Sequence, residues 1–333
     1  MAQKSKIVTL EKTTLHTRNL HRSQYNFTAL CLCYPELSAY ITVGKGKQTT
    51  IDFGNPDAVK SLNKALLKFF YQVDVWDIPN NYLCPPIPGR SDYLHYMADL
   101  LSESNGGTLP NGELITVADI GTGANCIYPI LGNHLYNWKF IGSDIDPIAI
   151  ESATKIINAN ISLQNNITCR LQNNAEYILT NFLIKDELVD MTICNPPFHS
   201  SLEEAQAGTD RKWKNLGVQK NKKSILNFGG QNTELWCKGG ENAFVCRMVE
   251  QSNLIRNRCF WFSTLVSKKT TLPSIYYSLE KAKALEVNTI NMAQGQKISR
   301  IVAWTFLTKE QQKEWKQKRW TKTGTESRTQ EQE

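Results

Sequence analysis

The sequence predicts an α/β protein built on a doubly wound, mostly parallel β-sheet. From residue 114 onward, short runs that favour strands alternate with stretches in which apolar residues recur at helical spacing. Such alternation is typical of parallel strands joined by helices that cover both faces of a sheet. Only a short QGQK segment separates the last two strand-like runs, which predicts that these two strands pair antiparallel.

The first 110 residues predict a basic arm followed by a helical N-terminal extension. Residues 1–30 form the arm. An Asn-Pro start and apolar residues at helical spacing predict a helix over 56–70. Prolines interrupt the following segment, and a second helix is expected from about Ser91.

Seven strand-like runs are expected to form the sheet, at residues 114–120, 139–144, 167–171, 188–194, 259–266, 285–292 and 300–307. Helices are expected at 125–134, 147–160, 175–184, about 240–254 and 271–284. Seven strands, five helices and a terminal hairpin match the class I methyltransferase variant of the doubly wound fold. We expect this domain to span residues 111–308 with a basic insertion at 200–240, followed by a charged, disordered tail at 309–333.

Composition argues against a membrane protein, a secreted protein and a metalloprotein. The 333 residues are 41% hydrophobic and 21% charged. No apolar stretch approaches the roughly 18 residues that a bilayer span requires. The N-terminal segment lacks an apolar signal core, so a cytoplasmic location is expected. The nine cysteines include no CxxC pair and the five histidines add no matching spacing, so we expect reduced thiols and no metal.

The formal net charge of +7 is concentrated in three segments. Residues 1–22 carry a net +4, residues 210–223 a net +5 and residues 309–333 a net +2, which leaves a mildly acidic body. Basic appendages on such a body favour a polyanionic partner such as nucleic acid. Charge alone does not distinguish this interpretation from solvated loops and tails, so both stay open.

The residues that follow the first two strands predict a nucleoside site at the carboxyl edge of the sheet. Gly121 and Gly123 allow a tight turn and a close approach of the backbone to a ligand. Cys126 stands where a dinucleotide fingerprint has its third glycine, which disfavours a pyrophosphate site. Asp146 suits the N-cap of the next helix, and this leaves Asp144 to accept hydrogen bonds from ribose hydroxyls.

The segment CNPPFHS, which follows the fourth strand, predicts methylation of an exocyclic amine. The lone pair of such an amine is delocalised into the ring, and acceptors at its two N–H bonds favour a more tetrahedral nitrogen. The side-chain oxygen of Asn195 and the carbonyl of Pro196 supply these acceptors, and Pro197 stiffens the loop. Phe198 offers a face on which a base can stack. A purely structural loop and a general-base role for the adjacent His199 are the alternatives.

Long, ordered blocks of sequence resemble one family. They include HTRNLHRSQYNF, PPIPGR, DIGTGANCIYP, IGSDIDP, CNPPFHSS, RKWKNLG, LNFGGQNTELWCKGGE and MAQGQKISRIVAWTF, and the resemblance covers roughly residues 16–307. The chain resembles the bacterial RlmF-type 23S rRNA adenine-N(6)-methyltransferases. It is more distantly similar to eukaryotic relatives that methylate a spliceosomal small nuclear RNA. The basic tail is less typical of the family.

The resemblance implies S-adenosylmethionine as the methyl donor and the N(6) amine of one adenine in 23S rRNA as the acceptor. The donor site that it implies consists of Arg90, Asp119, Gly121, Gly123, Asn125, Asp144 and Asn173. Arg90 is expected to reach the donor's carboxylate, because a guanidinium binds that group with two parallel hydrogen bonds. The target-adenine pocket that it implies consists of Asn195, Pro196, Pro197 and Phe198.

The basic insertion leaves the predicted catalytic loop directly and interleaves cations with an aromatic residue at Arg211, Lys212, Trp213 and Lys214. This pattern favours contacts with RNA phosphates and bases, although a loop over a small-molecule site is the alternative. We expect a monomer that binds 23S rRNA or a large-subunit assembly particle. Three rival functions are methylation of a protein glutamine, RNA binding without turnover and dinucleotide-dependent oxidoreduction. The basic segments, the intact NPPF motif and Cys126, respectively, argue against them.

Overall fold

The N-terminal part of the chain forms a mostly helical layer. The structure is a computed structural model that describes residues 14–199, 236–294 and 297–321. The layer contains α1 (Phe27–Cys33), β1 (Ile41–Val43), β2 (Thr49–Ile51), α2 (Pro56–Tyr71) and α3 (Ile87–Ser104). Helix α2 confirms the predicted helix at 56–70, and Asn55 caps its first turn. Helix α3 begins four residues earlier than predicted, because a proline is tolerated in the first turn, where its missing N–H needs no partner.

A seven-stranded sheet follows this layer. Its strands are β3 (Thr116–Ile120), β4 (Lys139–Asp144), β5 (Ile167–Leu171), β6 (Val189–Cys194), β7 (Cys259–Val266), β8 (Glu286–Gln294) and β9 (Lys297–Thr305). The strand order is β5-β4-β3-β6-β7-β9-β8. Strands β3 to β7 run parallel, whereas β9 is antiparallel to both β7 and β8, as the short segment between the last two strands predicted.

Helices cover both faces of the sheet. They are α4 (Ile127–Tyr136), α5 (Pro147–Ala159), α6 (Gly240–Ser252), α7 (Leu272–Ala282) and α8 (Lys309–Arg319). One apolar cluster lies between the sheet and helices α2 to α5, and a second lies between the sheet and helices α6 and α7. The predicted doubly wound arrangement is therefore confirmed. Within the described ranges, no helix combines the length and the apolar character that a membrane span requires.

The helix predicted at 175–184 is wrong, because this segment consists of turns and bends. The side-chain oxygen of Gln251 accepts hydrogen bonds from the backbone N–H groups of Ile178 (2.7 Å) and Leu179 (3.0 Å). These donors therefore need no helical partners. Four apolar residues of the segment, Ile178, Leu179, Phe182 and Leu183, are buried in the cluster that includes helix α6, which explains their helix-like spacing in an irregular loop.

The disordered tail predicted from residue 309 is wrong over residues 309–321. Helix α8 begins at a capping box formed by Thr308 and Gln311. Trp315 and Trp320 anchor the helix, because both are buried and both indole N–H groups donate to the carboxylate of Asp190. Residues 322–333 lie outside the described part of the chain.

The predicted basic arm is anchored where the structure describes it, from residue 14 onward. The backbone N–H of His16 and the side-chain amide of Asn19 both donate to the buried carboxylate of Asp92 in α3. Arg18 forms an ion pair with Asp99 at 2.6 Å. Residues 14–22 therefore pack on α3, whereas residues 1–13 lie outside the described ranges.

Candidate active site

A cavity of about 400 Å³ opens at the carboxyl edge of the sheet. Its volume is within the range of small-molecule sites, and its position is the one at which doubly wound sheets bind ligands. Three parts of the chain form its walls. They are the ends of β3 and β4 together with the loop after β5, the start of α3 together with the loop after β6, and the segment 236–247.

The turn after β3 exposes backbone to the cavity. Gly121 and Gly123 both border the cavity and both have positive φ angles, of 73° and 64°. The N–H groups of Gly121 and Thr122 donate to the carbonyl of Ser143 at 2.9 and 3.0 Å, which ties the turn to β4. A Cβ atom on Gly121 would meet no atom within 4 Å. The backbone here faces open space, as the glycine spacing predicted.

Two aspartates at the end of β4 have different roles. Asp146 caps α5 by accepting from the N–H of Ile148 at 2.9 Å, as predicted, and it also accepts from the hydroxyl of Tyr82 at 2.5 Å. Asp144 borders the cavity, and its two oxygens accept from the N–H groups of Gly123 (2.9 Å) and Asp146 (3.0 Å). Burial raises the pKa of Asp144, and these backbone hydrogen bonds oppose the rise. Each oxygen retains a further lone pair for a ligand hydroxyl.

Asp119 lies near the end of β3 and is fully buried. Neither of its carboxylate oxygens has a hydrogen-bond partner among the described residues. Burial raises the pKa of Asp119 to about 7, and the charge of Asp144 adds to the rise. Asp119 does not border the cavity, so a direct contact with the methyl donor stays a prediction.

The predicted catalytic loop follows β6. Asn195 and Pro197 border the cavity, and Pro196 between them is buried. The side-chain oxygen of Asn195 accepts a hydrogen bond from Nη1 of Arg90 at 2.7 Å. Phe198 is half-buried and does not border the cavity, so the predicted stacking face is not part of the wall seen here.

Arg90 connects α3 to α4 and to the catalytic loop. It lies in the first turn of α3 and borders the cavity. Its Nη1 also donates to the hydroxyl of Tyr128 at 3.0 Å, and its guanidinium carbon lies 5.4 Å from the centroid of the Tyr128 ring. If Arg90 binds the carboxylate of the methyl donor, as predicted, that carboxylate lies beside Asn195.

The two asparagines predicted at the donor site have different positions. Asn125 borders the cavity, and its side chain donates to the carbonyl of Leu83 (3.2 Å) and accepts from the N–H of Ile127 (3.1 Å). Asn173 is exposed and does not border the cavity. The preceding residue, Gln172, borders the cavity instead. Its backbone N–H donates to the carbonyl of Asp144 at 2.7 Å, which fixes the chain after β5 beside the end of β4.

The third wall was missed by sequence reasoning. Trp236, Lys238, Phe244 and Arg247 border the cavity from the segment 236–247, which begins within the predicted insertion at 200–240. The block LNFGGQNTELWCKGGE contains the first two of these residues, but nothing in its spacing indicated that they return to the catalytic loop. The predicted RNA-binding residues Arg211, Lys212, Trp213 and Lys214 lie outside the described residues. Among the described residues, no cluster of three or more His, Cys, Asp or Glu could hold a metal ion.

Sequence relatives cover nearly the whole chain. A family model described as RNA methyltransferase matches residues 9–308. The Ribosomal RNA large subunit methyltransferase F of Photobacterium profundum is 50% identical over an alignment of 337 positions, which covers 96% of this chain and 100% of the relative. Proteins of the same name from Yersinia enterocolitica and Flavobacterium johnsoniae are 52% and 53% identical. They cover 96% and 92% of this chain, and 95% and 98% of their own lengths.

Solved structures show the same fold. The hMettl16 catalytic domain in complex with MAT2A 3′UTR hairpin 1 has a TM-score of 0.73 at 27% identity, and the match covers 88% of this chain and 96% of that chain. The N-terminal domain of human METTL16 in complex with SAH has a TM-score of 0.70 at 26% identity, over 88% and 99% of the two chains. These matches confirm the class I methyltransferase fold and the resemblance to RlmF-type enzymes. The chain belongs to the RNA methyltransferase family.

Proposed function

We propose that this protein transfers a methyl group from S-adenosylmethionine to the exocyclic N(6) of a specific adenine in 23S rRNA of the large ribosomal subunit. The relatives named Ribosomal RNA large subunit methyltransferase F support this substrate. The observation that carries the proposal is the amide of Asn195 at the border of the cavity that Gly121 and Asp144 also border. We further propose that the enzyme acts as a cytoplasmic monomer, on 23S rRNA or on a large-subunit assembly particle.

The residues around the cavity fit S-adenosylmethionine. The backbone at Gly121 faces open space, and the oxygens of Asp144 keep lone pairs for the two ribose hydroxyls. The guanidinium of Arg90 suits the carboxylate of the amino-acid moiety. When bound, the donor supplies a methyl group made electrophilic by the neighbouring sulfonium. Because that group is intrinsically reactive, the protein's task is to position the acceptor.

The catalytic loop supplies two acceptors for the adenine amine, the side-chain oxygen of Asn195 and the carbonyl of Pro196. The Asn195 oxygen accepts one hydrogen bond from Arg90, and a carbonyl oxygen has a second lone pair for an amine N–H. The bond to Arg90 fixes the orientation of the amide before the substrate arrives. Pro196 and Pro197 restrict the backbone, so this geometry is preserved when the base enters.

The target adenine must leave its stack to reach the cavity. Base extraction costs a few kcal/mol, and less for an unpaired base, so an exposed loop or junction of the rRNA is the favoured substrate. Lys238 and Arg247 at the border of the cavity provide positive charge for the phosphates that flank the target. The basic insertion at 200–240 and its residues Arg211, Lys212, Trp213 and Lys214 are proposed as further RNA contacts.

The substitution Asn195→Ala tests this function. Removal of one positioned hydrogen-bonding group from an active site costs about 10²–10³-fold in kcat. We expect that loss in methyl transfer to 23S rRNA or to isolated assembly particles, with RNA affinity and SAH (S-adenosylhomocysteine) affinity retained. Asn158→Ala is the matched control, because Asn158 is exposed on α5 and does not border the cavity.

Mass mapping of the methylated nucleoside identifies the product. N(6)-methyladenosine at one rRNA position supports the proposal. A methyl mark on another base, transfer to a protein glutamine that survives nuclease digestion of the acceptor, or full activity of the Asn195→Ala variant would contradict it.

A further inference from the structure

Trp236 lies beside the catalytic loop. It forms a parallel β-bridge with His199, and the N–H of Cys237 donates to the His199 carbonyl at 3.1 Å. Bridged backbones lie about 4.8 Å apart, so Trp236 is held next to a residue only four positions after Asn195. Trp236 borders the same cavity as Asn195 and Pro197.

The turn that follows Trp236 is firmly anchored. The N–H of Gly240 donates to the carbonyl of Cys237 at 2.9 Å and closes the turn. Glu241, which is 2% exposed, accepts hydrogen bonds from the backbone N–H groups of Ser267 (2.8 Å) and Lys268 (3.1 Å) after β7. The indole of Trp236 is thus presented to the cavity by a segment that is fixed to the sheet, which is how recognition residues are preorganised.

The indole N–H of Trp236 is buried and has no hydrogen-bond acceptor among the described residues. The indole N–H groups of five other tryptophans all have acceptors, namely Trp76, Trp261, Trp304, Trp315 and Trp320. The indole N–H of Trp138 also has no acceptor among the described residues, but this side chain lies inside the apolar core and does not border the cavity. A buried donor without an acceptor costs free energy that a ligand acceptor in the cavity recovers.

The chemistry of adenine indicates what that acceptor is. On an adenine whose amine donates to Asn195 and Pro196, the neighbouring ring nitrogens N1 and N7 are acceptors. We infer that Trp236 is a recognition residue for the target adenine, whose indole N–H donates a hydrogen bond to one of these ring nitrogens. The inference rests on the proposed function and extends it from the amine to the ring. The acceptors of Asn195 and Pro196 match the amine of adenine, and the indole N–H of Trp236 matches one ring nitrogen. Guanine presents an oxygen in place of the amine.

The substitution Trp236→Phe tests the inference, because it removes the N–H and keeps an aromatic side chain. The substrates are synthetic RNAs of the mapped 23S segment that carry adenine, 1-deazaadenine or 7-deazaadenine at the target position. We expect Trp236→Phe to lower kcat/KM on the adenine RNA about tenfold, which is the value of one hydrogen bond. The affinity for SAH, measured by calorimetry, should stay within about twofold of wild type. Trp138→Phe is the matched control, since it removes the other N–H without an acceptor at a distance from the cavity.

The deaza substrates identify the acceptor. The wild type should lose about tenfold on one of them, and Trp236→Phe should lose nothing further on that same RNA, because donor and acceptor form one pair. The inference would be overturned if the wild type and Trp236→Phe showed the same ratio of kcat/KM between the adenine RNA and each of the two deaza RNAs. A weakened SAH affinity with unchanged RNA parameters would also overturn it, by assigning the indole to the donor. Failure of the wild type to methylate the adenine RNA would instead refute the proposed function, and the inference with it.

Discussion

Helix α8 and strand β6 meet at a buried carboxylate, whose neutralisation should destabilise the fold. Asp190 in β6 is 0% exposed and accepts hydrogen bonds from five donor groups. One oxygen accepts from the indoles of Trp315 (2.7 Å) and Trp320 (2.8 Å) and from Nε of Arg319 (3.2 Å). The other accepts from Nη2 of Arg319 (2.9 Å) and from the backbone N–H of Thr116 (2.8 Å). The variant Asp190→Asn removes the charge and replaces one acceptor by a donor.

The expected loss follows from these contacts. An asparagine that keeps its oxygen toward the indoles turns its NH₂ group toward two other donors, so two hydrogen bonds are lost. Hydrogen bonds to charged groups contribute about 1.5–3 kcal/mol each, which gives a loss of about 3–6 kcal/mol. Removal of one partner of a buried ion pair costs about 3–5 kcal/mol, which agrees. Since a folded protein is stable by only about 5–15 kcal/mol, a loss of this size is a large fraction of the total.

Urea denaturation, with thermal unfolding as a second probe, measures the loss. We expect the midpoint to fall with an unchanged m-value, and Tm to fall by about 1–2 °C per kcal/mol. Asp186→Asn is the control, because this exposed aspartate precedes the same strand and its change should stay within about 0.5 kcal/mol. A chain that ends at Thr308 provides the second background, in which Asp190→Asn should cost much less. An Asp190→Asn protein within about 1 kcal/mol of wild type, or an equal cost without α8, would refute the reasoning.

Two further perturbations test the interior and the loop after β5. Asp119→Asn should increase the free energy of unfolding at and above pH 7, by up to about 4 kcal/mol, since burial raises the pKa of Asp119 to about 7. As pH rises from about 4 to 7, the Asp119 carboxyl ionises in the unfolded state before it ionises in the folded state, so the free energy of unfolding of the wild type falls across this window. Urea denaturation at several pH values measures this fall, which should be smaller in the variant. Gln251→Ala should weaken SAH affinity about tenfold by calorimetry, because Gln251 bonds to three backbone groups of the loop that borders the cavity. Arg247→Ala, which removes an ion pair to the largely exposed Glu176, should change SAH affinity less than about fivefold.

Several strands of the sheet were predictable because each is a short run of strand-favouring residues with a clear end. The bounds of β4, β5 and β7 are those expected from the sequence, and all eight residues of β7 are buried. The positions of Gly121, Asp144 and Asn195 were predictable for a related reason. Parallel strands end at one edge of the sheet, so residues that follow them in sequence meet in space.

What was missed depends on contacts between distant parts of the chain. The segment 309–319 is charged and has few apolar residues, and it folds because Trp315 reaches Asp190 in β6. The bond between Arg90 and Asn195 joins residues that are 105 positions apart. Trp236 meets the catalytic loop through a bridge to His199, 37 positions earlier in the chain. Local periodicity and motif spacing contain no information about such pairings.

Strand β6 links the stability of the fold to the geometry of the site. All six of its residues are buried, and the anchored Asp190 and the cavity-facing Asn195 lie at its opposite ends. Two groups that border the cavity with Asn195 come from elsewhere, Arg90 from the N-terminal layer and Trp236 from the segment 236–247. The proposed donor side combines the ends of β3 and β4 with Arg90 of the N-terminal layer, whereas the proposed target side also needs the segment 236–247. Loosening the Trp236 segment should therefore impair RNA methylation more than SAH binding, whereas substitutions in the Gly121 turn should impair both.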